Sequence, residues 1–217
     1  MKLQKEKFLL YAITDKDCIG DRDFYREIEN VLAGGVTILQ LREKNSDTET
    51  LIAEAVKVKE LCKKYNVPLI INDDVEAAIK SGADGVHVGA EDMAVAEIRN
   101  KVGSDIIIGA TAKTVEQAKK AEAAGADYLG CGALFTSPTK KNAKPMTIDT
   151  LKEITSSVDI PVVAIGGLTY DNINIIENSG VSGAAVVSAV FAEEDVKSAA
   201  SRLRQKIRVL LAYDNRN

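Results

Sequence analysis

The sequence predicts an α/β protein, a (β/α)8 barrel of the TIM type, and three observations carry this prediction. Short β-branched apolar runs alternate with longer Ala-, Glu- and Lys-rich stretches throughout the 217 residues. The apolar runs number eight, which is the count at which a ring of parallel strands closes. They are nearly continuous, as is typical of strands that are covered on both faces. Because no linker or low-complexity segment interrupts the alternation, we expect residues 1–217 to form a single domain.

The eight predicted strands follow one another in chain order, separated by helical stretches. They are Phe8–Thr14, Val36–Leu41, Pro68–Ile71, Gly85–Val88, Ile106–Ala110, Tyr128–Gly132, Pro161–Ile165 and Ala184–Val187. Between them, segments such as 47–64 and 114–124 carry apolar residues at helical spacing with charges on the opposite face.

Glycine recurs at the point where a predicted helix ends and the next strand begins. The sequence has this glycine at Gly34-Gly35, Gly82, Gly125 and Gly180. A left-handed residue is favoured there as a helix cap, so the recurrence indicates one repeated βα unit. The competing architecture is an open, doubly wound sheet. The absence of a dinucleotide-type glycine fingerprint after the first strand favours the barrel.

Composition excludes several classes of function. Lys+Arg number 28 and Asp+Glu 32, for a net charge of −4 with both signs interspersed, which does not suggest a nucleic-acid partner. Aromatic residues are only 5%, without tryptophan, so single-stranded bases would find few stacking platforms. The apolar run near the N-terminus is too short to span a membrane and lacks a signal-peptide cleavage site. Three separated cysteines with one histidine argue against zinc or disulfides and suggest the cytoplasm.

Charged and amide side chains follow the predicted strands, at the end of the barrel where active sites of this fold lie. Arg42 and Lys44 follow strand 2, Asn72-Asp73 ends strand 3, Asp92 follows strand 4, and Lys140 follows strand 6. Carboxylate and amide oxygens suit Mg²⁺, which commonly takes one or two carboxylates together with phosphate oxygens. We therefore expect Asp73 and Asp92 to bind Mg²⁺ and the three cations to bind the same phosphates.

A second anion site is expected after strands 7 and 8. Gly166-Gly167 brings bare backbone to the rim after strand 7, and the loops after these two strands commonly bind phosphate in such barrels. A glycine pair also serves ordinary turns. Two phosphate sites in one mouth imply two ligands, or one ligand phosphorylated at both ends.

Three further residues have a structural interpretation beside a functional one. Asp74 is interpreted as the cap of the helix that follows strand 3. His87 is either a core histidine or, if its side chain points inward, a wall of the pocket; the sequence favours neither. Cys131, between two glycines, is disfavoured as a nucleophile because no second histidine is available to activate it.

An ordered set of motifs across nearly the whole chain resembles the thiamine phosphate synthase family of (β/α)8 barrel enzymes. The motifs are Gln40-Leu41-Arg42-Glu43-Lys44, Ile71-Asn72-Asp73, residues 82–89 with Asp92, Gly125-Ala126-Asp127-Tyr128, Thr139-Lys140, residues 163–167 and Val187-Ser188-Ala189.

The resemblance implies transfer of a hydroxymethylpyrimidine group from its diphosphate to a phosphorylated thiazole, which yields thiamine phosphate and pyrophosphate. It assigns Gln40, Arg42, Lys44, Asn72, Thr111 and Lys140 to the pyrimidine diphosphate. It assigns Ser137, Thr139, Gly167, Val187 and Ser188 to the thiazole phosphate. Asp73 and Asp92 again hold Mg²⁺, and Arg42, Lys44 and Lys140 are the expected catalytic cations.

The sequence departs from the family pattern in two places. The family's Ser-Ala-His after strand 5 is Thr111-Ala112-Lys113 here, which keeps a hydroxyl and adds a cation of unassigned role. The family's Gly-Pro on strand 6 is Gly132-Ala133, and Ser137-Pro138 replaces the usual order in the loop that follows.

Two other functions stay open. A thiazole tautomerase on the same scaffold could dispense with the metal half of the site, so the presence of Arg42, Lys44, Asn72, Asp73 and Asp92 argues against it. A noncatalytic sensor of thiamine phosphate would use the same residues as the enzyme. The sequence also leaves open a homo-oligomer and a preference for a carboxylated thiazole.

Overall fold

Eight parallel strands form a closed barrel in chain order, each paired with its sequence neighbours and the eighth with the first. The computed structural model describes residues 4–44, 46–89, 95–135 and 145–213. The strands are β1 Leu10–Ile13, β2 Ile38–Leu41, β3 Leu69–Asn72, β4 Gly85–Val88, β5 Ile107–Ala112, β6 Tyr128–Gly132, β7 Val162–Ile165 and β8 Gly183–Val186. The predicted barrel is confirmed, and the alternative of an open sheet is wrong.

Helices surround this barrel. They are α1 Lys16–Ile19, α2 Phe24–Ala33, α3 Thr48–Lys64, α4 Val75–Ser81, α5 Val95–Val102, α6 Val115–Ala123, α7 Ile148–Ser157, α8 Ser188–Phe191 and α9 Val196–Leu210. Short 3₁₀ helices occupy Lys5–Phe8 and Ile173–Ile176. Within the described ranges, no helix combines the length and the apolar character needed to cross a membrane.

The seventh βα unit departs from the predicted repeat, because a 3₁₀ helix of four residues stands where an α-helix was expected. Asn172 begins this turn, and its side chain accepts the Thr169 N–H and donates to the Gly167 carbonyl. Local side-chain hydrogen bonds of this kind compete with helix propagation. The chain after β7 is therefore held close to the rim of the barrel.

Local capping explains where most helices begin. Asp23, Asp47, Asp74, Thr114, Thr147 and Asp195 each accept a backbone N–H of the first helical turn. Asp74 accepts the Ala77 N–H, which confirms its interpretation as a cap. The expected left-handed glycines are also confirmed, with φ of +91° at Gly35, +68° at Gly82, +97° at Gly125 and +80° at Gly180.

Side chains alternate along each strand between the barrel interior and the helix layer. The interior cluster includes Tyr11, Ile38, Ile70, Ile107 and Tyr128. The outward positions, which pack under the helices, include Ala12, Leu39, Ile71, Val86 and Cys131. Cys131 therefore faces the helix layer and not the interior, and burial raises the pKa of its thiol to about 12. A nucleophilic role for this cysteine is inconsistent with that position.

Two aspartates at the amino-terminal end of the barrel make the same kinds of contact: each accepts a strand N–H and pairs with a cation of a helix. Asp84 accepts the Leu69 N–H and pairs with Lys59 at 2.5 Å between Nζ and Oδ2. Asp127 accepts the Ile108 N–H and pairs with Arg99 at 2.6 Å. Each carboxylate thus ties a strand to a helix. Both belong to motifs that the family resemblance rests on, yet both lie far from the rim that carries the predicted site.

Candidate functional site

The carboxyl ends of the eight strands meet at one rim, and most of the described candidate residues lie there. Arg42 follows β2, Asn72 ends β3, Thr111 is the penultimate residue of β5, and Ser188 begins α8 after β8. The strand register brings two of the candidates into adjacent positions, since Asn72 pairs with His87. Residues that are far apart in the sequence therefore share one mouth.

Arg42 and Lys44 carry positive charge that is not neutralised within the described ranges. Arg42 is half-buried, and its backbone N–H donates to the Thr14 hydroxyl at 2.9 Å, which fixes the chain where β2 ends. Lys44 is exposed. Among the described residues, neither cation has a carboxylate within ion-pair distance. Cations of this kind are suited to an anionic ligand.

Glu43, between these two cations, points the other way and anchors the segment. Its carboxylate lies 3.0 Å from the Lys16 ammonium in α1, and Lys16 also pairs with Glu54 of α3 at 2.8 Å. Burial raises the pKa of the Glu43 carboxyl, with the hydrogen bond from Lys16 opposing the shift. Sequence analysis assigned no role to Glu43. The contacts indicate that it holds the loop from which Arg42 and Lys44 project.

Asn72 and Asp73 form a compact oxygen-rich pair at the end of β3. The Asn72 amide donates to the Asp73 carboxylate at 2.6 Å, and the Asp73 N–H donates to the His87 carbonyl at 2.8 Å. Asp73 has a φ of +64°, a conformation that Asp and Asn adopt more readily than other side chains with a Cβ. Its carboxylate is exposed at the rim. This donor set of hard oxygens fits Mg²⁺, which needs only one or two protein carboxylates when it also binds phosphate.

His87 lies on the interior side of β4. Its Nδ1 is 3.0 Å from the Tyr128 hydroxyl, and its Nε2 is 3.1 Å from the Thr111 hydroxyl. Burial lowers the pKa of the imidazole to about 4, so the ring is neutral near pH 7. Of the two interpretations of His87, the structure supports the inward one, although the ring is also fully hydrogen-bonded. Its contact with a substrate stays a prediction.

Beneath the rim, Gln40 and two tyrosines complete a polar network that sequence analysis did not recognise. Gln40 is 3% exposed and donates from Nε2 to the Tyr11 hydroxyl at 2.7 Å. The Tyr11 and Tyr128 hydroxyls are 2.8 Å apart. Tyr11 and Tyr128 are polar residues within the apolar runs of β1 and β6, and the structure places both in the interior cluster.

Gly166 and Gly167 bring backbone to the rim after β7, as expected. Both have positive φ, +101° and +63°. A Cβ at Gly166 would collide with Ala133, and a Cβ at Gly167 would lie 2.7 Å from the Cβ of Phe135. Close packing of the β6 and β7 loops therefore requires glycine at both positions. Backbone N–H groups in a turn of this kind suit an anion.

Comparison with known proteins identifies the family. A family model described as thiamine monophosphate synthase matches residues 10–190. The chain belongs to the thiamine monophosphate synthase family. The match spans all eight strands of the barrel.

Individual members of the family are similar over nearly their whole length. A thiamine-phosphate synthase of Alkaliphilus oremlandii is 46% identical over 92% of this chain and 95% of its own. One from Ruminiclostridium cellulolyticum is 44% identical over the same shares. The solved structure of a thiamine phosphate pyrophosphorylase from Pyrococcus furiosus has a TM-score of 0.87 and 36% identity, covering 95% of this chain and 98% of that one.

Several residues that the family resemblance assigns to the site lie outside the described residues. These are Asp92, Ser137, Thr139 and Lys140. Of the others, Val187 is half-buried directly after β8 and Ser188 is exposed. Lys113 is exposed at the end of β5, where its N–H donates to the Gln117 side chain at 2.8 Å. That contact belongs to the backbone and assigns no role to the Lys113 ammonium.

Proposed function

We propose that this chain is a thiamine phosphate synthase, which transfers a hydroxymethylpyrimidine group from its diphosphate to the ring nitrogen of a phosphorylated thiazole. The products are thiamine phosphate and pyrophosphate. The observation that carries the proposal is the combination at one barrel rim of cations without ion-pair partners in the described ranges, an oxygen-rich Asn72-Asp73 pair and the bare backbone of Gly166-Gly167. Family membership and the names of the relatives support the same reaction.

The cationic half of the rim binds the pyrimidine diphosphate. Arg42 and Lys44 contact the diphosphate oxygens, and Gln40, Asn72 and Thr111 contact the same substrate. His87 forms a neutral wall beside it. Lys140, outside the described residues, is assigned to the same substrate from the family resemblance. This grouping is supported by the adjacency of β2, β3, β4 and β5 in the barrel.

The residues present also suit a magnesium ion at the same half. Asp73 and Asp92 would hold Mg²⁺, and the Asn72 amide, which donates to Asp73, would keep that carboxylate oriented. When bound, the ion supplies positive charge beside the diphosphate oxygens. The donor chemistry of Asp73 and Asn72 supports this assignment.

The other half of the rim binds the thiazole phosphate through backbone. Gly167 and the Val187-Ser188 segment carry this role, with Ser137 and Thr139 assigned to it from the resemblance. Glycine at Gly167 lets the chain pass close enough to the ligand for its N–H groups to donate. The loops after the seventh and eighth strands are the common phosphate site of such barrels, which supports the division.

The chemistry requires charge stabilisation and positioning more than acid–base groups. The carbon–oxygen bond to the diphosphate breaks with its electron pair remaining on the diphosphate, and the electron-rich pyrimidine stabilises the benzylic-type cation that is left. The lone pair of the thiazole nitrogen then forms the new carbon–nitrogen bond. Arg42, Lys44 and Lys140 neutralise the departing charge, and the backbone site holds the nitrogen behind the carbon. A neutral His87 is compatible with this role, since no strong base is needed.

The decisive experiment is incubation of the purified chain with both substrates and Mg²⁺. We expect thiamine phosphate and pyrophosphate to form in equal amounts, and omission of Mg²⁺ to stop the reaction. Tight binding of thiamine phosphate without turnover would instead indicate the noncatalytic sensor. Conversion of a thiazole phosphate isomer in the absence of pyrimidine substrate would indicate the tautomerase.

The setting of the reaction is proposed on other grounds. We place it in a reducing cytoplasm, which the three unpaired cysteines Cys18, Cys62 and Cys131 support. Assembly into a homo-oligomer stays a prediction to be measured by light scattering.

A further inference from the structure

A single file of hydrogen bonds crosses the barrel interior beneath the rim. It runs from Gln40 to Tyr11 at 2.7 Å, from Tyr11 to Tyr128 at 2.8 Å, from Tyr128 to His87 Nδ1 at 3.0 Å, and from His87 Nε2 to Thr111 at 3.1 Å. Its five members come from five different strands. The file therefore links the two ends of the pyrimidine diphosphate half of the rim through the core.

The residues around this file pack closely against the Tyr128 and His87 rings. A Cβ at Gly109 would collide with the Tyr128 ring and would lie 2.5 Å from His87 Nδ1. A Cβ at Gly130 would lie 3.1 Å from His87 Cε1. Tyr128 is fully buried and Tyr11 is 2% exposed. The phenol and imidazole rings thus occupy space that two glycines leave open; the Gln40–Tyr11 and Tyr11–Tyr128 hydrogen bonds are buried, and the two hydrogen bonds of His87 are part-buried.

The file has a direction, which the Gln40 amide sets. An amide nitrogen only donates, so the Tyr11 oxygen accepts from Gln40 and its own proton goes to Tyr128. In that direction the Tyr128 hydroxyl would donate to Nδ1 of His87, which would leave the imidazole proton on Nε2. That proton is donated to the Thr111 oxygen. The Thr111 hydroxyl proton has no acceptor within the part of the chain that the structure describes, and Thr111 lies at the rim.

We propose that Tyr128, supported by Tyr11, is a positioning residue that holds His87 as the Nε2–H tautomer and thereby keeps the Thr111 hydroxyl as a hydrogen-bond donor to the substrate. The substrate in question is the pyrimidine diphosphate, so the inference rests on the proposed function. Tyr128 touches no substrate itself; it acts through His87. A reversed file would leave Thr111 donating to the imidazole and unable to donate at the rim.

The tautomer can be measured directly, because the chain contains a single histidine. A long-range ¹H–¹⁵N spectrum of the ¹⁵N-labelled protein at pH 7.5, without substrate, correlates the carbon-bound protons of the imidazole with its two nitrogens. The pattern of these correlations shows which nitrogen carries the proton. We expect the Nε2–H form. Observation of the Nδ1–H form would overturn the proposal, and this result does not depend on whether the chain is active.

Kinetics test whether the positioning reaches Thr111. We expect Tyr128→Phe to lower kcat/KM for the pyrimidine diphosphate about five- to tenfold, the size of one hydrogen bond, without raising KM for the thiazole phosphate. Thr111→Ser should retain most activity, whereas Thr111→Val should lose a similar factor. Tyr65→Phe, the same change at an exposed tyrosine, is the matched control and should have no effect.

The double variant separates positioning from general structural damage. If Tyr128 acts through Thr111, Tyr128→Phe added to Thr111→Val should cause less than a twofold further loss. An equal loss in both backgrounds would mean that Tyr128 does not act through this hydroxyl. If Tyr128→Phe fails to fold, the tautomer of the wild-type histidine still decides the direction of the file. Absence of any thiamine phosphate from the wild type would count against the proposed function alone.

Discussion

At the amino-terminal end of the barrel, Asp84 and Asp127 are paired with cations and with backbone, whereas at the carboxyl end Arg42 and Lys44 have no ion-pair partner in the described ranges. Asp127 there accepts the Ile108 N–H and pairs with Arg99, which also donates to the carbonyls of Gly103, Ile106 and Gly125. Arg42, at the opposite end, has no ion-pair partner in the described ranges. Charges that are already paired stabilise the fold, and unpaired ones are free to bind a ligand. Among the motifs shared with the family, Asp127 is therefore expected to stabilise the fold, and Arg42 is expected to bind a ligand.

Substitution of Arg42 should show the largest effect at the carboxyl end. We expect Arg42→Ala to reduce kcat about 10²–10³-fold, since it removes charge that stabilises the leaving diphosphate, while the thermal midpoint barely changes. Steady-state kinetics with each substrate varied, together with thermal melts, would measure this. Arg26→Ala, at an exposed arginine on α2, is the matched control. An equal loss of affinity for both substrates would contradict the division of the rim into two halves.

Protonation of His87 should cost stability in a defined pH window. In the unfolded chain the His87 imidazole binds a proton near pH 6.5. In the folded chain it does so only near pH 4, because burial lowers the pKa of the imidazole. The free energy of unfolding should therefore fall as the pH falls from 6.5 to 4, by up to about 3 kcal/mol. Urea titrations of the wild type and of His87→Asn across this range would separate the contribution of His87 to the free energy of unfolding from that of the carboxylates. If the free energy of unfolding had the same pH dependence in the two proteins, the pKa of His87 would not be lowered by burial.

Removal of the Asp73 charge tests the metal assignment without disturbing the backbone. Asn tolerates the φ of +64° at this position, whereas Ala would add strain, so Asp73→Asn is the sharper variant. We expect turnover to fall about 10²-fold and the Mg²⁺ concentration that gives half of the maximal rate to rise. The same outcome is expected for Asp92→Ala. Near-normal rates with an unchanged Mg²⁺ requirement would remove these residues from a metal site.

At the amino-terminal end, substitution should change stability and leave catalysis intact. Asp127→Ala leaves the Ile108 N–H without its acceptor and the Arg99 guanidinium without its carboxylate partner, which should destabilise the fold by about 2 kcal/mol. Asp127→Asn retains an acceptor oxygen and should cost less. Chemical denaturation and kcat/KM, measured side by side, test this. A large loss of turnover in a stably folded Asp127 variant would break the contrast between the two ends.

Much of the local structure could be predicted because the forces that set it act over a few residues. The β-branched runs predicted eight strands, and Asp74 was recognised as a cap from its place before a helix. Local rules failed where tertiary packing competed with them: Phe8, predicted to begin the first strand, ends a 3₁₀ helix, and the segment after β7 forms a 3₁₀ helix. The bounds of β4 and β6 are those predicted, and the ends of the other strands differ from the prediction by at most two residues, because apolar character reports burial and not pairing.

The site could be predicted only in part. Arg42, Asn72 and Asp73 were found because they follow strands, and a closed barrel gathers such positions at one rim. The roles of Glu43 and of the tyrosines could not be found in this way. Tyr11 and Tyr128 are 117 residues apart in the sequence and meet only across the closed interior.

The sequence by itself determined which segments are strands, where most helices begin and which polar residues stand at the ends of strands, because periodicity and capping are written in neighbouring residues. Only the tertiary structure decided which face of each strand is the interior. Alternation defines two faces but does not label them, so His87 and Cys131 could not be placed until the barrel closed. Closure turned His87 toward Tyr128 and Thr111, and it turned Cys131 away beneath the helices.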